Sequence, residues 1–512
     1  MLVSKENYSA EEEMERSSQE QDRLIEVVSD EKGGLRTLPF IIVVDCFEKV
    51  ASFGLLLNMI LYLVNEYHME TAAGTSLLFL WSSLSSFLSI VGAYASDLHF
   101  GRFRVIGLVM LWATSVVPQA KPASCDRYSD SCKSPTIVQL AILVSSLVLL
   151  SIGDGCTRPC TTPFGADQLA KGEDPSNDEH DVLQSFFNWF YASGGISTIL
   201  SLTLIVYIQD HFGWNVGFGV PTILMFLAAI LFLLGSPLYV KVKPNNSGFI
   251  GAVDRVEALK CMFGVIPIWA SGIIIFLNLS QAPILVLQAK TMDRHITPDV
   301  EIPPGSFTAI TFLSLMISIS LYECIISPFL DNHTKIGRLS PTARVGIGLV
   351  FTCLAMAAAA LVENVRRKIA IEGVDGNPVL TMSATWLLPQ LVLSGIADGI
   401  SAAARIEYYY SCLPKSMSSI AMALFTLETA FSGLLGSLIV NAVNSVTSNG
   451  GKVSWLASDI NEGRYDYYYA LHGALGLINF LIFLVSCLVL RHSKEEKTTI
   501  LTETEELKDN LL

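Results

Sequence analysis

Charge is scarce in this chain. Only 16% of its 512 residues are Asp, Glu, Lys or Arg, whereas 51% are hydrophobic and the mean hydropathy is +0.49. A soluble domain carries about 25% charged residues. The shortage excludes a water-facing surface over most of the molecule and implies one that faces lipid. An apolar run is missing from the first 36 residues, which hold ten acids, five bases and few aromatics. That excludes a cleavable signal peptide and reads as a disordered, solvated tail. There is no Cys-x-x-Cys pair and no His/Cys cluster, so no metal is expected. Nucleophile–base arrangements and phosphate loops are also missing, so the chain reads as neither an enzyme nor a cofactor protein. The net charge of −14 sits largely in the tails and gives no reason to expect a nucleic-acid partner.

What the chain has instead is apolar length. Runs of about 20 residues, enough to cross the hydrocarbon core, recur twelve times, near 38–64, 72–95, 104–118, 136–157, 185–208, 215–236, 261–282, 306–329, 343–363, 384–406, 417–443 and 467–490. The third is the shortest. An even number of crossings puts both tails on one side. With that side cytosolic, sixteen of the 33 Lys and Arg fall in near-membrane cytosolic segments, among them Arg102, Arg104, Lys171, Arg255 and Lys335, and ten fall in outer loops. The glycosylation sequons, at Asn7, Asn245, Asn278 and Asn332, all fall in cytosol or membrane, in keeping with that topology. Cys125 and Cys132 share an outer loop, where a disulfide and two free thiols are equally compatible with the sequence.

A weak repeat joins two loops, Asp97 to Arg104 after the second run and Asp331 to Arg338 after the eighth. They occupy matching places in two six-helix halves, and such duplicated halves are the build of major facilitator transporters. Asp97, Gly101 and Arg102 are the candidate conformational loop.

A few residues resist the reading as plain lipid-facing helix. Asp45, Glu48 and Lys49 lie in the first run at i, i+3 and i+4, on one helix face. Each intramembrane charge costs roughly 2.5–3.5 kcal/mol on the insertion scale, so three imply a wet cavity or mutual pairing. Run four ends in Gly153-Asp154-Gly155-Cys156-Thr157-Arg158, and run ten carries Asp398, Arg405 and Glu407. Arg405 reads as a snorkelling base at the cytosolic helix end. Phe186, Phe187, Trp189, Phe190 and Tyr191 read as an interfacial belt.

At these motifs the sequence resembles the plant nitrate and peptide transporter family, a branch of the proton-dependent oligopeptide transporters. The similarity runs from about Gly34 to Arg491. It rests on Phe164-Gly165-Ala166-Asp167-Gln168, on Phe186 to Tyr191, on Met292-Asp293-Arg294-His295, on Trp386 to Gln390 and on Gly463 to Tyr467. The resemblance implies an all-α membrane protein with twelve transmembrane helices in two six-helix bundles, the major facilitator fold, around a cavity and driven by protons. The family's first-helix ExxE[RK] motif falls on Asp45, Glu48 and Lys49, with aspartate in place of the first glutamate. Its helix-four base falls on Arg158 and its helix-ten acid on Glu407, a pair expected to gate the cytosolic side. Segment seven has no histidine to bind nitrate, and Asn278 is its nearest polar residue.

The implied plan is a tail at 1–36, a bundle at 37–240, a shortened cytosolic connection at 241–260, a second bundle at 261–490 and a tail at 491–512. The short connection departs from the family, whose members carry a long one, and makes a receptor-like or inactive product the rival reading. Residues 98–113 contain no Ser, Thr or Tyr, which argues against a phosphoswitch there. The expectation is a proton-coupled carrier of a small, preferentially anionic solute such as nitrate, with peptides, hormones and glycosides as alternatives. Its partners are that solute, protons and the bilayer. The plasma membrane is the default location. The vacuolar membrane is the alternative, for which Glu20-Gln21-Asp22-Arg23-Leu24-Ile25 supplies an acidic dileucine-like signal.

Overall fold

The structure, a computed structural model, describes residues 34, 36–95, 101–122, 134–169, 189–190, 193–240, 252–298, 300–333, 338–372, 382–412 and 418–509. Nearly all of these are helical, as lipid demands of a backbone that can find no water to bond. The helices are α1 (Leu38–Asn65), α2 (Thr71–Ala95), α3 (Gly101–Val116), α4 (Ile137–Asp167), α5 (193–212), α6 (214–235), α7 (Ala252–Leu279), α8 (from Thr308 to His333), α9 (Pro341–Glu372), α10 (Leu388–Cys412), α11 (Ser418–Thr447) and α12 (Tyr465–Asp509). Helices α5 and α6 form one 46-residue apolar run, Ser193–Leu238, that turns at Gly213. The turn needs φ of 76°, open to glycine but strained for other residues. Nine described runs are long and apolar enough to cross a membrane. With Ser193–Leu238 counted twice, and with the charged α1 and the short α3 added, they match the twelve runs read from the sequence.

Two boundaries differ from the reading. Helix α7 begins at Ala252, inside the stretch taken as a loop, so only 241–251 of the connection remains, outside the described residues. Helix α12 continues to Asp509, through most of the stretch 491–512 that the sequence plan assigns to a tail. Hydropathy ends at Arg491, but Lys, Glu and Leu beyond it are good helix formers, so the backbone carries on. Cys125, Cys132, Asp97, Phe186, Phe187 and Tyr191 lie outside the described residues.

Helix α7 breaks at Ser280–Gln281 and resumes as a distal leg, Ala282–Lys290. A small antiparallel hairpin, His295–Thr297 with Val300–Glu301, leads into α8. The bundles meet chiefly along α2 and α11, where serines let the backbones approach. Ser83 Oγ donates to the Ala430 carbonyl at 2.7 Å, and the Ser76 and Ser437 hydroxyls lie 2.7 Å apart. At the face away from the tails, Lys290 of the distal leg donates to Asn65 at the end of α1 (3.0 Å).

Candidate functional site

The charges of α1 separate into two groups. Lys49 Nζ bonds Asp45 at 2.7 Å and lies 4.8 Å above the Phe190 ring, which ties α1 to the aromatic stretch before α5. Glu48 turns the other way and pairs with Arg104 of α3. Arg104 is 3% exposed, and its second amino group forms an ion pair with Asp154 of α4, 2.9 Å away. Thr157 donates to Glu48 at 3.1 Å, and Ser85 of α2 donates to Asp154 at 2.8 Å. Gly153 permits this convergence: a Cβ there would overlap the backbone of Arg104, so α3 and α4 pack close enough to share the cluster.

Arg104 and Asp154 are therefore site members that the sequence reading passed over. It had counted Arg104 among the loop bases, although the residue lies one turn inside α3. An aspartate within an apolar run was the available signal for Asp154. A pocket of about 80 Å³ opens beside them, lined by Ser82, Ser85, Ser86, Arg104 and Asp154 among others.

In the second half, Arg405 is fully buried rather than snorkelling. Its Nε lies 2.9 Å from Glu428 of α11, which is also fully buried, and its guanidinium lies 4.8 Å from the Phe276 ring. A buried acid on the neighbouring helix supplies the countercharge that solvent would otherwise have to provide. Tyr409 donates to the same carboxylate. Glu407 pairs with Arg344 of α9, and its side chain is 46% exposed. The side chains of Arg158, Gly101 and Arg102 lie outside the described residues, although all three backbones are helical. A further buried pair joins Arg366 and Glu363 (2.8 Å), and Gln288 links it to Tyr469 and Gln390.

Between the bundles lies a cavity of about 270 Å³. The first half contributes Phe53, Leu57 and Phe79, and the second contributes Asn278, Gln281 and Tyr469. No Asp, Glu, Lys, Arg or His is among its described lining residues. Asn278 faces His472 of α12, with Oδ1 2.9 Å from Nδ1. His472 Nε2 has no hydrogen-bond partner among the described residues. His472 is fully buried and is not among the described residues that line the cavity. Phe53, Leu56 and Ser82 line both this cavity and the smaller pocket.

The quoted motifs mostly act as pins. Gln168 bonds both polar groups of the Val240 backbone, accepting from Val240 N at 2.7 Å and donating to Val240 O at 3.1 Å. Arg464 pairs with Asp466 at 3.0 Å. Arg294 holds Glu301 across the hairpin at 2.5 Å, and the hydrogen bond from His295 keeps the Asp293 carboxyl below its ordinary pKa.

Comparison with known proteins settles the family. The pattern of the POT family, PTR2, matches residues 98–254 and 249–456. The chain belongs to the POT family. Protein NRT1/PTR FAMILY 1.2 of Arabidopsis thaliana is 39% identical over 542 residues, covering 89% of each chain. NRT1/PTR FAMILY 1.3 of the same plant is 39% identical over 469 residues, covering 88% of this chain and 95% of the relative. These relatives put it in the plant nitrate and peptide transporter branch.

An alignment of 542 positions over 89% of a 512-residue chain opens long gaps in it, whereas the 469-position one does not. The two POT-family matches meet at 249–254, inside the shortened connection. Among solved structures, an auto inhibited POT family peptide transporter superposes with a TM-score of 0.68 at 18% identity, covering 88% of this chain and 96% of that one. A POT family transporter in complex with 5-aminolevulinic acid gives 0.65 at 16%, covering 89% and 97%. At that identity the likeness carries the fold alone. This POT-family protein is thus a multi-pass membrane transporter with the major facilitator fold.

Proposed function

We propose that the chain is a proton-coupled carrier working by alternating access, and that its substrate is a small organic solute without ionised groups. The observation that carries the substrate reading is the described lining of the 270 Å³ cavity, which offers amide, hydroxyl and aromatic groups but no ionised side chain. A dipeptide would bring two charges and nitrate one into a site without a described countercharge, and desolvating an unpaired charge is costly. The cavity is slightly below the usual range for drug-sized ligands, about 300–1,000 Å³, which favours a compact solute. The coupling reading rests on the buried carboxylates of Glu48 and Asp154, one layer of side chains away. The second reading is nitrate, for which Arg158 on α4 is the candidate cation. The plasma membrane is the location we assign by default, and relocation of a Leu24→Ala, Ile25→Ala variant would point to an internal membrane.

The test is uptake into proteoliposomes of nitrate, a dipeptide and an uncharged phenolic glucoside, with acidic and with neutral medium outside. The glucoside should enter fastest, and only acidic medium should concentrate it. Faster nitrate uptake would overturn the substrate assignment. Uptake indifferent to pH would overturn coupling, and no uptake of any of the three would favour a receptor-like or inactive product.

A further inference from the structure

A buried charge pair of the second half lies outside the cavity but is joined to its wall. Glu363 and Arg366 of α9 are both fully buried, and neither is among the described lining residues. Glu363 accepts from Arg366 through both of its oxygens, from Nε and from the second amino group, each at 2.8 Å. The first amino group of Arg366 donates to Thr291 at 3.1 Å and to Asn461 at 2.8 Å. Arginine keeps its charge in proteins, so the acid held in this fork is a carboxylate, with lone pairs and no proton to offer.

That carboxylate fixes the sense of the hydrogen bonds that lead to the cavity. Gln288 of the distal leg, also fully buried, donates its Nε2 to Glu363 at 2.9 Å. Its carbonyl oxygen is therefore turned to the far side, since the reversed amide would set oxygen against the carboxylate. The oxygen so placed accepts from the Tyr469 hydroxyl at 3.3 Å and from Nε2 of Gln390 at 3.4 Å. Tyr469 and Gln390 both line the cavity. A tyrosine hydroxyl has one proton, and here the protein takes it, so lone pairs are all that it has left for a solute. Gln390 is 5% exposed, and its Oε1 is a buried acceptor with no donor among the described residues. Thr308, which also lines the cavity, gives its proton to the Gly305 carbonyl at 2.6 Å. Acceptors left without donors are costly when buried. The first-half lining residues Phe53, Leu57 and Phe79 supply none.

We propose that Glu363, acting through Gln288, makes this side of the cavity an acceptor surface that selects solutes by their hydroxyl or N–H donors. The role rests on the reading of an uncharged solute given above and narrows it to donor-rich compounds with an apolar face. Gln390 and Tyr469 are the residues that touch the solute. Glu363 and Gln288 are positioning residues, because they act only through the orientation of the other two.

Equilibrium binding of phenyl β-glucoside and its four monodeoxyfluoro analogues to the full-length protein in lipid nanodiscs tests this. Fluorine is close to hydroxyl in size but has no proton to donate. The wild type should bind at least one analogue about tenfold more weakly than the glucoside, the cost of one acceptor left unpaired. Gln288→Met keeps the bulk and leaves Glu363 with Arg366, but it cuts the relay. Tyr469 and Gln390 can then turn their protons to the solute, and the discrimination should largely vanish. Tyr469→Phe, which leaves Gln288 in place, should erase it at one sugar position alone. A wild type that binds all five compounds alike, or none, would overturn the assignment. So would a Gln288→Met that weakens all five by one common factor, the mark of a structural role, or a Tyr469→Phe that keeps every preference. Uptake separates this from the carrier reading: selective binding without uptake would end that reading and keep the relay, and uptake with unselective binding would do the reverse.

Discussion

Both halves of the molecule place an arginine four residues into their third helix, in Arg104-Val105-Ile106-Gly107 and Arg344-Val345-Gly346-Ile347. Both place an aspartate on their fourth, in Ile152-Gly153-Asp154-Gly155 and Ile396-Ala397-Asp398-Gly399. The halves use this shared pattern differently. In the first, Arg104 gathers an acid from α1 and the aspartate of α4 into one buried cluster beside the cavity. In the second, Arg344 is equally buried, 2% exposed, but takes Glu407, which stands half in solvent. Asp398 makes no ion pair among the described residues. The duplicated frame thus places the same side chains twice, and in the first half the acid contributed by α1 joins them into one shared cluster. A buried cluster shared by several helices suits coupling, whereas a single pair reaching solvent suits closure of one face.

The largest contrast should appear in stability. Arg104→Gln removes the cation paired with buried Glu48, and stranding charge in this way typically costs about 3–5 kcal/mol. Arg344→Gln leaves Glu407 where water can solvate it, at a cost of about 1 kcal/mol or less. Thermal unfolding of the two purified variants should show the first far less stable. Equal losses would break the comparison.

Next in size is the effect on transport. Glu48→Gln should abolish pH-driven uptake yet leave exchange between the two sides partly intact, because the neutral side chain mimics permanent protonation. Equal loss of both, at equal surface amounts, would remove Glu48 from coupling.

The smallest effect concerns closure of the tail-side face. Glu407 is bound to Arg344 here, so a gate with Arg158 must share or compete for that carboxylate. Arg158→Ala and Glu407→Ala should each hold the carrier open on the tail side. The swap Arg158→Glu with Glu407→Arg should restore part of the labelling of cysteines from the opposite face. A swap no better than the single variants would leave Glu407 to Arg344 alone.

The helices were legible in the sequence because lipid imposes a run of about 20 apolar residues on each crossing. Helix ends were less so, since the backbone of α12 continues past Arg491 where hydropathy stops. Within the site, Asp45, Glu48 and Lys49 stood out as charges spaced on one face. Their division into two groups did not, because Glu48 finds its cation on α3, 56 residues away. Arg405 was read as a helix-end residue for a similar reason: its partner Glu428 lies on another helix, and a single run cannot reveal it. Spacing along one helix is written in the sequence, whereas pairing between helices depends on packing, here on a glycine that brings α3 against α4.

The central claim is that the first-half cluster, and not its counterpart in the second half, couples protons to transport. Asp154→Asn and Asp398→Asn make the most direct pair of variants, because they alter equivalent residues of the two halves. The measurement is uptake into proteoliposomes, in acidic and in neutral medium, of whichever panel solute the wild type carries. Acid should stimulate Asp398→Asn as it does the wild type, and Asp154→Asn should lose the stimulation. Acid stimulation that survives in Asp154→Asn, or that is lost equally in both variants, would contradict the claim.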